Sequence, residues 1–191
     1  MNIQVYTANV GEHDPPRKEE NGLKVFTEDL LGDPLLSARF YKTCPHLLFP
    51  EADWTIWIDA NVWLNVSPEE LVRKIQEKQW HRYFGVFQHT WHNNIWEEAE
   101  AVLKGGFDTN KRVQKTLQKW VEHDPDTADQ AMTMILVRRN TIVNAQRDAG
   151  WWQDICYGSR RDQLSFGLHY PGPYWDTVDF TKPNKYFTRV A

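Results

Sequence analysis

This sequence of 191 residues is poor in the features that would commit it to a special compartment or scaffold. It has two cysteines, Cys44 and Cys156, far apart and in no metal-ligand spacing. That gives no support to a disulfide framework or a zinc cluster and predicts buried or reduced thiols. No apolar run approaches the roughly 20 residues of a membrane helix. Met1-Asn2-Ile3-Gln4 leads straight into strand-like sequence without a secretory apolar region, so the sequence predicts a soluble, untargeted, cytoplasmic chain with no membrane association. A basic field is missing too: the formal net charge is -4, which argues against sequence-blind adhesion to nucleic-acid phosphates. There is no internal repeat and no low-complexity tract.

What is present is a 41% hydrophobic chain, long enough to bury one core and read as a single domain over residues 1–191. The excess is in tryptophan, with 10 indoles. Such faces fill cores, and they also stack on sugar rings and bases. Ile3 to Val10 alternates and reads as a strand running into a loop, and Leu23-Lys24-Val25-Phe26-Thr27 reads as a second. A helix is predicted from Pro34 to Lys42, stopped by Pro45. Trp54-Thr55-Ile56-Trp57-Ile58 is apolar on both faces, the pattern of a buried central strand.

Ser67-Pro68-Glu69-Glu70 carries a cap, a proline at the first helical position and a glutamate three residues after the serine, and predicts a helix to about Lys78. Tyr83 to Gln88 is a further strand. Asn94 opens a helix ended by Gly105-Gly106, and Asp108 is placed as the cap of the next, which reaches His123. A helical turn near Asp129-Gln130, a strand at Met134 to Val137 and a helix from Ile142 to Ile155 follow. Strands alternating with helices predict an α/β layered domain with a parallel or mixed central sheet. The tail from 171 to 191 is rich in proline and reads as irregular, able to fold over a cleft as a lid.

Ligands of open α/β sheets bind beyond the carboxyl ends of the strands. Asp59-Ala60-Asn61 lies there, directly after the apolar strand. A carboxylate and a second oxygen donor two residues on suit a hard cation such as Mg²⁺ or Mn²⁺ and the phosphates it bridges. The same residue types also build ordinary turns.

Several segments in chain order resemble the DUF616 family, also called the TOD1/MUCI70-type glycosyltransferase domain. Lys42 through Pro45-His46-Leu47-Leu48-Phe49-Pro50 and then Trp54 to Asn61 is similar to its "K-x-x-P-H-x-x-F-P … S-I-W-I-D-G-N" core. Tyr6-Thr7-Ala8 with Gly11 and Asp14 resembles "Y-T-A-x-x-G-x-Y-D", and Val25-Phe26-Thr27-Glu28-Asp29 resembles "F-T-D". Gln88-His89 with Glu97-Glu98-Ala99 resembles "K-H-x-x-R … E-E-A", and Arg161 to Phe166 matches "R-D-Q-L-S-F". Ala60 stands where the family's pattern has glycine, which implies a less permissive turn, and Asn61 is an uncharged second ligand.

The resemblance implies a GT-A-like fold, with a mixed, mostly parallel sheet flanked by helices and a DxD-like motif. It also implies a metal-dependent glycosyltransferase, of hexosyl or pentosyl type, using Mn²⁺ or Mg²⁺ and a nucleotide sugar. The donor site would comprise Thr7, Ala8, Asn9, Arg39, Lys42, Asp59, Ala60 and Asn61. Arg39 and Lys42, three apart on one helical face, would meet the diphosphate. The metal would be held by Asp59 and Asn61, with His169 as a late third ligand by position. Transfer needs a carboxylate as base or as stabiliser of an oxocarbenium-like state. Asp162 is assigned that role, with Gln163 and His89 beside it. Trp91, His92, Asp129, Gln130 and Trp151 are expected to wall an acceptor, which is a glycan, a protein or a modified DNA base. Trp152 is expected to pack inside. The alternative is a non-catalytic carbohydrate-binding module that uses the indole surfaces alone.

Overall fold

The central sheet exists because apolar residues line both faces of its strands. In β3 (Trp54–Ile58) all five residues are buried, with Trp54, Ile56 and Ile58 on one face and Thr55 and Trp57 on the other. Such a strand is stable only between two layers. The computed structural model describes residues 1–11, 14, 17–19, 21–77, 83–92, 94–123, 130–172, 174–177, 179 and 181–190.

β3 pairs in parallel with β1 (Ile3–Ala8), which pairs in parallel with β2 (Leu23–Phe26). On the other side β3 pairs antiparallel with β6 (Ala131–Arg139), and β6 antiparallel with β5 (Phe84–Gln88). β7 (Trp175–Thr177) adds a parallel edge to β5, so the order is β2-β1-β3-β6-β5-β7. Only β6 opposes the common direction. This is the mixed, mostly parallel sheet that the family resemblance implies, and helices flank it. A second, two-stranded ribbon joins β4 (Val62–Leu64) to β8 (Phe187–Arg189).

Helix starts follow local side-chain chemistry. Asp33 accepts the Leu36 N–H at 3.1 Å ahead of α1 (Pro34–Thr43), and a short α2 (Pro45–Leu48) follows it. The Ser67 hydroxyl accepts the Glu70 N–H at 3.1 Å at the start of α3 (Pro68–Glu77). Asn94 accepts two N–H groups at the head of α4 (Ile95–Lys104), and Thr141 caps α6 (Ile142–Tyr157). The predicted cap of α5 (Asn110–His123) differs. Thr109 accepts the Arg112 N–H, while Asp108 accepts from the Ser159 hydroxyl and the Arg160 N–H, both at 2.7 Å. Asp108 therefore ties the loop before α7 (Gln163–His169) to α5.

One face of the sheet packs on α3 and on Tyr186 and Phe187 of the tail. The approach of α3 is close, since a Cβ at Gly85 would come 2.3 Å from the Ile75 Cδ1. The other face packs on Tyr41 of α1, Trp151 and Ile155 of α6, and Phe166 of α7. The tail is built into the sheet and the ribbon. It is not a separate flap, because β7 and β8 both pair with earlier strands. Among the described residues no helix is long and apolar enough to cross a membrane. Both cysteines are free thiols, and burial pushes Cys44 up to about 11.

Inside this second layer lies a buried polar knot. Arg138 donates to Asp148 at 2.6 Å, and to the Tyr6 hydroxyl and the Lys42 carbonyl at 2.7 Å each. The Tyr170 hydroxyl donates to Asp148 at 2.8 Å. The knot links β1, α1, β6 and α6, and Arg138 and Asp148 neutralise each other within it. Arg138→Met should therefore lower unfolding free energy by about 3–5 kcal/mol in urea titrations, because Asp148 is left as an uncompensated buried charge. Adding Asp148→Asn to it should recover part of that loss.

Candidate functional site

Because β1, β3 and β5 point the same way, their carboxyl ends open on one crevice. A cavity of about 620 Å³ sits there. Its floor includes Ala8 at the end of β1 and Asn9 after it, Asp59, Ala60 and Asn61 after β3, and His89 after β5.

The turn after β3 is held from three sides. The Val62 N–H donates to the Asp59 carbonyl at 2.9 Å, the Arg17 guanidinium donates to the carbonyls of Ala60 and Val62, and the Val190 N–H donates to the Asn61 carbonyl at 2.9 Å. Ala60 does not take a positive φ. Among the described residues other than glycine only Asn21 does. The turn thus accepts alanine without strain, in contrast to the restriction that its replacement of glycine suggests.

The Asp59 Oδ1 accepts from the Trp57 indole N–H at 2.8 Å and from the Lys42 Nζ at 3.2 Å. Its Oδ2 and the Asn61 amide have no protein hydrogen bond among the described residues. Both residues border the cavity.

Beneath them Asp162 is fully enclosed. Its carboxylate meets the Arg39 Nη2 at 3.1 Å and the Lys42 Nζ at 2.6 Å, and accepts the Thr133 hydroxyl at 2.7 Å. Burial alone would raise its pKa, but Arg39, Lys42 and Arg161 overcome that and hold the carboxyl far below the usual range. A carboxylate so reluctant to take a proton, and absent from the cavity wall, is no general base. Asp162, assigned as base or charge stabiliser, is set by the structure against Arg39 and Lys42 and not at the cavity wall.

Other sequence-assigned residues separate in the same way. Ala8, Asn9, Arg39, Asp59, Ala60, Asn61, His89, Trp91, His92 and Gln163 all border the cavity. Lys42 does not: its ammonium is consumed by Asp162, Asp59 and Thr133 and is shielded from any bound phosphate. Thr7 lies fully buried below the floor, with its hydroxyl unpartnered. Gln163 donates its amide to the Ala131 carbonyl at 3.3 Å and so braces the start of β6. Gln130 is buried, and its backbone carbonyl accepts the His89 N–H at 2.7 Å. Trp151, expected at an acceptor wall, is the indole packed inside, and donates to the Asp162 carbonyl at 3.0 Å. Trp152, expected inside, is only half-buried and meets Phe40 edge-on.

His169 is no partner of Asp59. It lies over Gly150 of α6 and pairs with Asp154 at 2.9 Å, beside Lys119, away from the cavity. Asp129 falls outside the described residues.

Among the cavity residues not singled out as site residues from sequence are Glu98, Phe107, Arg161 and Arg189. Glu98 had a signal, as an acidic residue one turn into α4 on its apolar face, and Arg161 had one as the first residue of the R-D-Q-L-S-F match. Arg189 reaches the site only through the pairing of β8 with β4.

Residues 24–171 match the family described as "TOD1/MUCI70, glycosyltransferase-like domain". The chain is 25% identical over 157 residues to "Alkaline ceramidase TOD1" of Arabidopsis thaliana, covering 74% of this chain and 33% of that protein. It is 22% identical over 134 residues to "Probable hexosyltransferase MUCI70" of the same plant, covering 65% of this chain and 23% of that one. The chain thus spans a third or less of these curated relatives. Among solved structures it is similar to a glycosyltransferase involved in glycosylation of the major capsid of PBCV-1, with TM-score 0.46, 12% identity, and coverage of 92% of this chain and 81% of that one. It is also similar to mouse xyloside xylosyltransferase 1, with TM-score 0.43, 12% identity, and coverage of 83% and 64%.

The Asp162 cluster has a pH signature. Its folded pKa is depressed, so its stabilisation is present above the unfolded carboxylate pKa of about 3.9 and is lost as pH falls below that value. Asp162→Asn should be destabilised at pH 7, and its melting temperature should fall less than that of the wild type between about pH 5 and pH 2. Calorimetry across that range measures the difference.

Proposed function

Since the chain belongs to the TOD1/MUCI70 glycosyltransferase-like family, we propose that it transfers a sugar from a nucleotide-sugar donor to an acceptor hydroxyl, with Mn²⁺ or Mg²⁺ bound at the Asp59-Ala60-Asn61 turn. One observation carries the reading. A turn with two unengaged oxygen donors closes the central strand and borders a cavity of about 620 Å³.

The donor set fits a hard cation. Asp59 and Asn61 would hold the ion through oxygen, the donor type that such cations prefer. Such an ion neutralises the departing diphosphate when bound. The chain's own residues prepare the site. Lys42 and the Trp57 N–H fix Asp59 Oδ1, which leaves Oδ2 for the cavity. Arg39, tethered by Asp162 and by the Arg160 carbonyl at 3.2 Å, borders the same space with Arg161 and Arg189. Three guanidiniums beside one acidic turn suit a diphosphate.

Trp91 is 53% exposed on the cavity rim and offers a flat face for a sugar. Trp54, Trp57, Trp120 and Trp151 are buried and serve the core, which takes those four indoles from a module that binds sugars by stacking alone. The formal net charge of -4 favours a glycan or protein acceptor over DNA.

A saturating nucleoside diphosphate with Mn²⁺ should stabilise the wild type by about 2.7 kcal/mol at a hundredfold excess over Kd, a melting shift of several degrees. Chelation and Asp59→Ala should each remove most of it. An Asp59→Ala chain that keeps the full Mn²⁺-dependent shift, or a wild type that hydrolyses a ceramide and ignores nucleotides, would remove this assignment.

A further inference from the structure

His89, His92 and Glu98 meet at the cavity wall, with a ligand atom of each lying within 4.8 Å of the others. A divalent cation would accept that spacing, but the hydrogen bonds at His89 oppose it. The backbone N–H groups of Trp91 and His92 both donate to His89 Nδ1, at 3.1 and 2.9 Å. The lone pair therefore sits on Nδ1, and the neutral ring carries its proton on Nε2. A metal-bound Nε2 would have to be bare, with Nδ1 donating, and the two amides forbid that. Burial lowers the His89 pKa, against the pull of Glu98 and with the help of His92, and keeps the ring neutral. His89 is thus a fixed wall, stacked on His92 at 4.8 Å with the ring planes 7° apart.

His92 has the opposite arrangement. Its Nδ1 is hydrogen-bonded to Glu98 Oε2, and Glu98 is 4% exposed. A carboxylate only accepts, so the His92 proton lies on Nδ1 and the lone pair on Nε2. His92 is half-buried and borders the cavity.

We infer that His92, oriented by Glu98, is the base that takes the proton of the acceptor hydroxyl, an assignment that rests on the glycosyl-transfer reading of the cavity. In that step the acceptor oxygen bonds to the anomeric carbon. The bond from that carbon to the diphosphate oxygen breaks, its electron pair leaves with the nucleoside diphosphate, and the acceptor proton passes to His92 Nε2. Glu98 is a positioning residue: it fixes the tautomer and steadies the imidazolium that forms, as a carboxylate does behind a catalytic histidine. The charged and titratable groups facing this pair are His89, Glu98 and, around the same cavity, Asp14, Arg39, Asp59, Arg161 and Arg189.

The test uses wild type, His92→Ala, His92→Gln and Glu98→Gln, with folding checked by circular dichroism. UDP binding is measured by calorimetry, and UDP release from a panel of UDP-sugars with Mn²⁺ is measured with water as acceptor. His92→Ala should lose about 10²- to 10⁴-fold in kcat, keep its UDP affinity and KM, and regain activity with added imidazole. Glu98→Gln should lose about tenfold or more in kcat, with the acidic limb of its pH profile displaced to lower pH. Full kcat in His92→Ala overturns the assignment, as does a loss shared with UDP binding that imidazole does not repair. Stoichiometric Mn²⁺ or Zn²⁺ uptake abolished by both His92→Ala and Glu98→Gln gives the cluster to a metal instead. A wild type that binds none of UDP, GDP, ADP, CDP and dTDP overturns the transfer reading itself, and the base with it.

Discussion

The site depends on one buried carboxylate shared between two cations. Asp162 is enclosed by the protein, and the cost of removing it from water is met by Arg39, Lys42 and Thr133 together. Lys42 then has a second use, since the same ammonium reaches Asp59 and fixes one of its oxygens. A charge buried under the floor in this way sets which atoms of the turn remain open above it. Asp162, Lys42 and Asp59 come from α7's start, α1 and the end of β3, so the fold must be complete before the turn is shaped.

The crevice itself follows from strand direction. β1, β3 and β5 run together, and their carboxyl ends border one cavity. β6, running against them, brings Met132 and Met134 to the same edge from its opposite end. The tail then returns and, through β8, brings Arg189 to a cavity otherwise formed by residues 8–163. The cavity is therefore walled by strand ends that differ widely in sequence position, with charges supplied by helices and by the tail.

Beside the open turn stand His89, His92 and Glu98, which differ in their hydrogen-bonding duties although they share a cluster. Two backbone amides commit one imidazole to accepting at Nδ1, and a buried carboxylate commits the other to donating there. The chemistry of the pair is decided by those partners, not by residue type. The turn after β5 and the first turn of α4 do that local work.

Much of the architecture could be read along the chain. Apolar residues on both faces of Trp54 to Ile58, the cap at Ser67 and the cap at Asn94 each report a local free-energy preference, and the corresponding elements form there. The turn at Asp59 to Asn61 was equally legible, as polar residues directly after a buried strand. What the sequence could not assign was burial of charge. Lys42, Asp162 and His169 read as solvent-facing or ligand-facing groups, yet the first two neutralise each other beneath the floor and the third pairs with Asp154. Trp151 and Trp152 are adjacent and chemically identical, and only the helix face on which each falls sends one into the core. Local preference is written in neighbouring residues. The partner of a buried charge comes from far along the chain, and only the packed structure selects it.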